Sequence, residues 1–223
     1  MNANHKGFLR FTPVGEGALL VTFDGALTAE ANQQVFALDA QLQQAPLPGV
    51  TEWIPAYCSL MVLYDLCLVQ LTAVEKWVKD CLAAVPPKFE PPPQRVEIRV
   101  RYGGAEGPDL PFVAVYHHLT PAEVIARHAA PVYRVGMMGF MPGFAYLLGL
   151  DPGLATPRLA TPRTHIPAGS VGIAGEQTGV YPLASPGGWR LIGQTDAVLF
   201  DPESEPYFAL SPGDEVRFIP LED

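Results

Sequence analysis

Hydrophobic and polar side chains alternate without a break from Arg95 to Tyr102: Val96, Ile98, Val100 and Tyr102 share one face, and Arg95, Glu97, Arg99 and Arg101 the other. That period of two predicts a half-buried strand. Upstream the period changes. Ala31, Val35, Leu38 and Leu42 recur at helical spacing between Thr28 and Gln44, and Val74, Trp77, Val78, Cys81, Leu82 and Val85 continue one face of a second helix. Thr72 and Glu75 have the spacing of a capping box, which predicts Thr72 as the cap of that second helix. Short apolar runs at 8–12, 17–23, 50–57 and 59–64 read as strands. The order ββαββα predicts a small α+β domain with both helices on one sheet face.

Five prolines among the eight residues from Pro86 to Pro93 stop the second helix and favour a stiff extended spacer. The predicted organisation is an N-terminal α+β domain over 1–86, a proline-rich linker over 87–94 and a second domain over 95–223. In that second domain Thr120-Pro121-Ala122-Glu123 opens a helix, with Thr as cap, Pro at the first position and Glu three after the cap. Ala197–Phe200 and Glu215–Ile219 read as strands joined through the turn Ser211-Pro212-Gly213-Asp214. Many short strands with glycine and proline corners suggest a closed barrel.

The twenty residues from Gly169 to Gly188 hold six glycines, at 169, 172, 175, 179, 187 and 188, with prolines at 167, 182 and 186 re-stiffening the chain. Ser170, Gln177, Thr178, Tyr181, Ser185 and Trp189 are interleaved as hydrogen-bonding groups. Two readings stay open: a barrel rim whose corners need left-handed backbone and bind nothing, or a built binding surface. Neither a G-x-G-x-x-G fingerprint nor a G-x-x-x-x-G-K-[ST] loop occurs, and residue 168 is Ala where a nucleophile elbow needs Gly. Ser170 is therefore a turn or binding hydroxyl rather than a nucleophile. Gly103-Gly104-Ala105-Glu106-Gly107-Pro108-Asp109 has no Lys or Ser/Thr after it, which favours a structural turn over a phosphate loop.

Charge changes the picture of the glycine-rich run. The chain of 223 residues is 48% hydrophobic with a net charge of −9, which argues against nucleic acid or an anionic membrane as partner. Between Val124 and Thr195, however, five arginines (127, 134, 158, 163 and 190) face only Asp151 and Glu176, and all four lysines precede residue 89. A local patch of arginines suits a small anionic ligand, because the planar guanidinium holds a carboxylate or phosphate in two-pronged fashion. Cys58, Cys67 and Cys81 form no C-x-x-C pair, which favours reduced thiols and a cytoplasmic protein. No secretory h-region or 18-residue apolar run occurs, and no metal-ligand cluster stands out.

Gly139-Phe140-Met141-Pro142-Gly143-Phe144-Ala145-Tyr146-Leu147, Ala155-Thr156-Pro157-Arg158, Thr161-Pro162-Arg163, the run Pro167 to Trp189 and Leu191-Ile192-Gly193-Gln194-Thr195 together resemble the ordered signature of one family. It is the allophanate hydrolase subunit 1 family, also called carboxyltransferase subdomain C/D or KipI. The resemblance implies a cyclophilin-like β-barrel for the second domain. Members include components of ATP-dependent 5-oxoprolinase, so it implies cleavage of 5-oxoproline to glutamate with A-type and C-type partner subunits. ATP with Mg would be bound with a partner, and the single chain would be inactive. Two alternatives within the family are a KipI-like inhibitor of a sensor histidine kinase and the small half of a urea- or allophanate-type carboxyltransferase or hydrolase. The candidate catalytic residues are His128, which shares the inward face of its helix with Val124 and matches a histidine position of the family, and Gln177. The candidate substrate-binding residues are Arg158, Arg163, Ser170, Phe140, Tyr181 and Trp189.

Overall fold

A computed structural model of the chain describes residues 9–23, 28–86 and 93–221. The chain divides into two compact units, Met1–Pro92 and Pro93–Asp223. Residues 87–92 of the expected spacer lie outside the described residues.

The first unit runs β1 (Arg10–Val14), β2 (Ala18–Thr22), α1 (Ala29–Gln44), β3 (Val50–Pro55), β4 (Ser59–Tyr64) and α2 (Leu71–Ala84). Its strands form one antiparallel sheet in the order β1-β2-β4-β3. The pleat turns Leu60, Val62 and Tyr64 of β4 and Leu19 and Val21 of β2 into one cluster with Val35, Leu38 and Leu42 of α1 and Val74 and Val78 of α2. Thr28 caps α1, its Oγ1 accepting from Ala31 N at 3.2 Å. The cap expected at Thr72 does not form. Helix α2 begins at Leu71 with Gln70 at its cap and no side-chain cap bond. Val69 and Leu71 pack into the core, which draws the first turn upstream and leaves Thr72 inside the helix. Glu75 pairs instead with Lys79 at 3.2 Å.

The second unit opens with β5 (Arg95–Tyr102), at the bounds its alternation predicts. There follow α3 (Leu110–Tyr116), α4 (Pro121–Ala129), β6 (Tyr133–Met138) and β7 (Ala145–Leu148). After a 3-10 turn at Pro152–Leu154 come β8 (Arg163–Ile166), β9 (Ser170–Ala174), β10 (Gln177–Val180), β11 (Ser185–Gly187), β12 (Arg190–Gln194) and β13 (Glu215–Pro220). Seven strands close a barrel in the order β10-β7-β6-β13-β5-β12-β9, and β9 pairs with β10 to complete the ring. Strands β5 and β13 are parallel neighbours. The capping box of α4 forms as expected: Thr120 Oγ1 accepts from Glu123 N at 3.2 Å, and Glu123 Oε2 accepts from Thr120 N at 2.8 Å. The strand expected at Ala197–Phe200 is absent. Ala197 N donates to Thr195 Oγ1 at 3.1 Å, which turns the chain off β12, and only a single bridge, Phe200 to Phe208, follows.

Two cores flank the barrel wall. Inside, Ile98, Val100, Tyr133, Val135, Leu147, Val171, Ile173, Ile192, Val216 and Phe218 pack with Val113 of α3 and Val124 of α4. Outside, strands β8 and β11 form a separate two-stranded ribbon, and a second cluster joins Phe144, Ile166, Ala174, Tyr181, Trp189 and Leu191. The glycines explain this second cluster. Within the Gly169–Gly188 run only Gly169 and Gly175 take left-handed backbone, at φ +80° and +58°. Gly172 and Gly179 lie inside strands. A Cβ on Gly172 would stand 3.1 Å from Trp189 Cβ, and one on Gly179 would stand 2.8 Å from Ala145 O and 3.3 Å from Phe144 Cζ and Trp189 Cζ3. Glycine there marks close approach rather than a corner.

Gly179→Ala is therefore expected to destabilise the second unit by about 1–3 kcal/mol through overpacking. Gly188→Ala, whose added methyl meets nothing nearer than 3.6 Å, is expected to stay within about 0.5 kcal/mol of the parent. Denaturant unfolding of the two variants checks the contrast.

Candidate functional site

Trp189 lies between β11 and β12 and is buried. Its ring meets Phe144 edge-on at 5.4 Å, Tyr146 at 5.8 Å and Tyr181 at 6.3 Å. Such edge-to-face pairs each contribute about 0.5–1.5 kcal/mol beyond the area they bury. Together they make a rigid aromatic platform on the outer barrel wall. Phe140 stands over its edge, at 5.5 Å from Phe144 and 6.2 Å from Tyr181. Its ring is 60% exposed and its φ is +69°. Three short-range bonds hold that backbone: Gly139 N to Phe144 O at 3.1 Å, Met141 N to Gly139 O at 2.8 Å and Phe144 N to Met141 O at 3.1 Å. A bulky residue in left-handed backbone costs about 1–3 kcal/mol, and such strain clusters at functional sites.

The three flanking arginines have different employments. Arg158 is exposed, with its guanidinium carbon 5.9 Å from the centre of the Trp189 ring, and no carboxylate lies within 4 Å of it among the described residues. Burial pushes the Tyr146 and Tyr181 phenols up, while the Arg158 charge pulls both back. Arg163 is engaged: its Nη2 donates to Asp109 Oδ1 at 2.9 Å and its Nη1 to Trp189 O at 3.4 Å. The Arg190 guanidinium carbon lies 3.7 Å from the centre of the Phe112 ring, and Arg190 reaches Pro157 O at 3.3 Å and Asp109 at 3.9 Å. Asp109 itself is buried, and its Oδ2 accepts from Leu191 N at 2.7 Å. The sequence suggests a substrate for Arg163 and a mere turn for Asp109. The structure joins the two to each other. The one signal in the sequence is a lone acid following the glycine turn in a domain rich in arginine.

The remaining expected residues divide. Gln177 begins β10 beside the Gly175-Glu176 hairpin tip, and Gly175 bridges Thr156, two residues before Arg158. Ser170 begins β9, buried, with its N bonded to Pro167 O and its O to Tyr181 N. Tyr181 is buried under the ribbon, its hydroxyl against Gly187, so it supports the platform from beneath. His128 is withdrawn from solvent altogether. Thr178 Oγ1 donates to Gly172 O at 2.9 Å, so it accepts from His128 Nε2 at 2.8 Å, and His128 Nδ1 then accepts from the Tyr102 hydroxyl at 2.8 Å. Both ring nitrogens are satisfied and burial pushes the imidazole down to about 3. A neutral, fully bonded core histidine replaces the catalytic one expected, because the inward face of α4 meets the barrel interior.

The turn at 103–109 spends three of its amides within its own unit. In the 103–109 turn, the Gly103, Gly107 and Asp109 amides donate to Ile192 O, Gly103 O and Leu191 O, and no group of three His, Cys, Asp or Glu side chains converges among the described residues. Hollows of about 390, 380 and 570 Å3 open elsewhere, and none is lined by a platform residue.

A family model described as carboxyltransferase domain, subdomain C and D, matches residues 9–210. The chain belongs to this family. The B component of 5-oxoprolinase from Bacillus subtilis (strain 168) is 42% identical over 220 residues, covering 94% of this chain and 92% of that protein. The solved structure of TTHA0988 is 38% identical with a TM-score of 0.81, covering 97% of this chain and 41% of that one, so the chain spans about two fifths of TTHA0988. The Kluyveromyces lactis urea carboxylase, at 18% identity and a TM-score of 0.81 over 97% of this chain and 22% of its own, shares the fold. No helix of the described residues is long and apolar enough to cross a membrane.

In this carboxyltransferase-family barrel, His128 links stability to pH. Its folded-state value near 3 lies below the ordinary 6.5, so protonation favours the unfolded chain. The stabilisation is complete above about pH 6.5 and is lost as pH falls from there towards 3. His128→Gln is expected to remove that component. Denaturant midpoints of parent and variant should diverge less at pH 4.5 than at pH 7.5 if the parent alone carries the titration.

Proposed function

We propose that this chain is the B-type component of a heteromeric ATP-dependent 5-oxoprolinase, and that its aromatic platform supplies half of the site that cleaves 5-oxo-L-proline to L-glutamate. Three relatives that match over nearly their whole length carry that name, which supports the complex. The observation that carries the half-site is Arg158, exposed over Trp189 with no carboxylate of its own within reach.

The substrate is a five-membered lactam bearing a carboxylate. Arg158 holds that carboxylate through charged hydrogen bonds, each contributing about 1.5–3 kcal/mol. Phe140 packs against an apolar ring edge, Trp189 backs the site from beneath, and Tyr146 stands beside the charge. Gln177 approaches from the hairpin side to steady the oxygen as it gains negative charge. Cleavage breaks the lactam C–N bond, water's oxygen going to the carbonyl carbon and a proton to the ring nitrogen. ATP with Mg, going to ADP and phosphate, would supply the activation of the carbonyl and would be bound with a companion A-type or C-type subunit, since the Gly103, Gly107 and Asp109 amides are spent internally and the second unit has no lysine. An open platform fits a site that another polypeptide completes.

In the reconstituted complex, Arg158→Lys keeps the charge and loses the fork. It is expected to raise KM for 5-oxoproline about 10- to 100-fold while the subunits still co-purify. Arg163→Lys should act on thermal stability instead, through Asp109. An unchanged KM in Arg158→Lys, or ATP-dependent glutamate release by the purified single chain, overturns the half-site reading.

A further inference from the structure

Three loops of the second unit meet beside the platform. A Cβ on Gly143 would lie 2.6 Å from Phe200 Cβ, 3.2 Å from Leu199 O and 3.3 Å from Pro182 Cβ, so the 139–144, 181–184 and 196–209 segments are in close contact. Each presents apolar side chains to water. Besides Phe140, these are Leu183 at 40%, Val198 at 70%, Tyr207 at 45% and Phe208 at 44% exposure. Their exposure is built. Phe200 and Phe208 stack at 5.2 Å, Ala209 N donates to Leu199 O at 3.1 Å, and Asp201 N donates to Tyr207 O at 2.9 Å. The hairpin-like segment is thus ordered by its own bonds while its neighbouring side chains face outward. Exposed apolar side chains gathered on adjoining loops mark an interaction site.

Charge says what fits there. From Leu191 to Asp214 the chain carries Asp196, Asp201, Glu203, Glu205 and Asp214 and not one cation. Asp196 is paired with Arg101 at 2.7 Å, and Asp214 accepts from Gln94 N and Ser211 N. Asp201, Glu203 and Glu205 have no cation within 4 Å among the described residues. A shallow, open depression lined by Glu205, Pro206, Tyr207, Phe208 and Ser211 joins carboxylate to aromatic faces, a setting that suits an arginine or lysine side chain with its apolar stem. The same carboxylates repel a small acid, so this surface is not the substrate site. They also oppose a second copy of a chain whose net charge is −9.

We infer that residues 196–209, with Phe140 and Leu183, form the docking surface for a companion subunit that presents a basic, apolar face. The inference rests on the 5-oxoprolinase reading. Docking here sets the companion next to Arg158 and Trp189, where it closes the open side of the platform.

The test is co-expression of the tagged full-length chain with the A-type and C-type subunits and measurement of how much companion protein it retains. Asp201→Lys/Glu203→Lys/Glu205→Lys is expected to lower retention at least tenfold, and Val198→Arg, a single change at an exposed residue, to lower it severalfold. Arg158→Lys should retain the companions fully. Retention by the parent should fall with rising salt. Unchanged retention in both the triple variant and Val198→Arg overturns the docking surface while an active parent complex leaves the 5-oxoprolinase reading intact. A lone chain that dimerises in solution and is made monomeric by the same changes also overturns it. A parent that retains no companion at all removes the reading and the inference together.

Discussion

At Gly172 and Gly179 the outer wall of the barrel lies so close to Trp189 and Phe144 that an added Cβ would stand only 3.1–3.3 Å from them. Much of the rest depends on that approach. Because two adjacent strands lack Cβ atoms at the same level, an indole and three further aromatic rings settle against the backbone and against one another. The β8–β11 ribbon is then held over a second apolar core. An ordinary barrel buries only its interior. This one buries part of both faces of the same strands, and the outer core has an edge where Phe140, Tyr146 and Arg158 come to the surface.

Asp109 does for the polar groups what the glycines do for the rings. Its two oxygens take Arg163 and the Leu191 amide, and its own amide donates to Leu191 O. A half-buried guanidinium and a buried carboxylate compensate one another, and removing either partner would strand the other. The pair therefore spends Arg163 on structure and fixes the backbone at Trp189 and Leu191. Arg158 is left with its charge directed outward. Two arginines that look alike in the sequence differ because only one of them lies opposite a buried acid.

The division of labour extends across the wall. Inside, His128, Thr178, Tyr102 and Tyr133 close a polar network in which each hydroxyl and ring nitrogen has a partner. A saturated network of this kind specifies the packing. Outside, a strained Phe140 stands beside an acidic, aromatic hairpin, and an exposed cation lies over Trp189. Those are the features of a surface whose complement is carried by another molecule.

Local chemistry made much of the fold legible. The period-two run at 95–102, the helical periods at 28–44 and 74–85, the Thr120 capping box and the ββαββα order follow from steric and solvation rules acting within a few residues, and the ordered glycine-proline motif named the family. Long-range contacts decided the remainder. Thr72 lost its cap to the burial of Val69 and Leu71, and the run after Thr195 left the sheet because a side-chain turn redirected it. Helix α3 was too short for its period to be seen. Among the candidate residues, Phe140, Trp189, Arg158 and Tyr181 meet at one platform, whereas His128 went to the core and Arg163 to Asp109. Sequence alone determined which groups were available and which surfaces were apolar. Which cation stayed free, which histidine was desolvated and which glycines let rings approach were settled only when residues far apart in the chain came into contact, since charge pairing and burial are properties of neighbours in space.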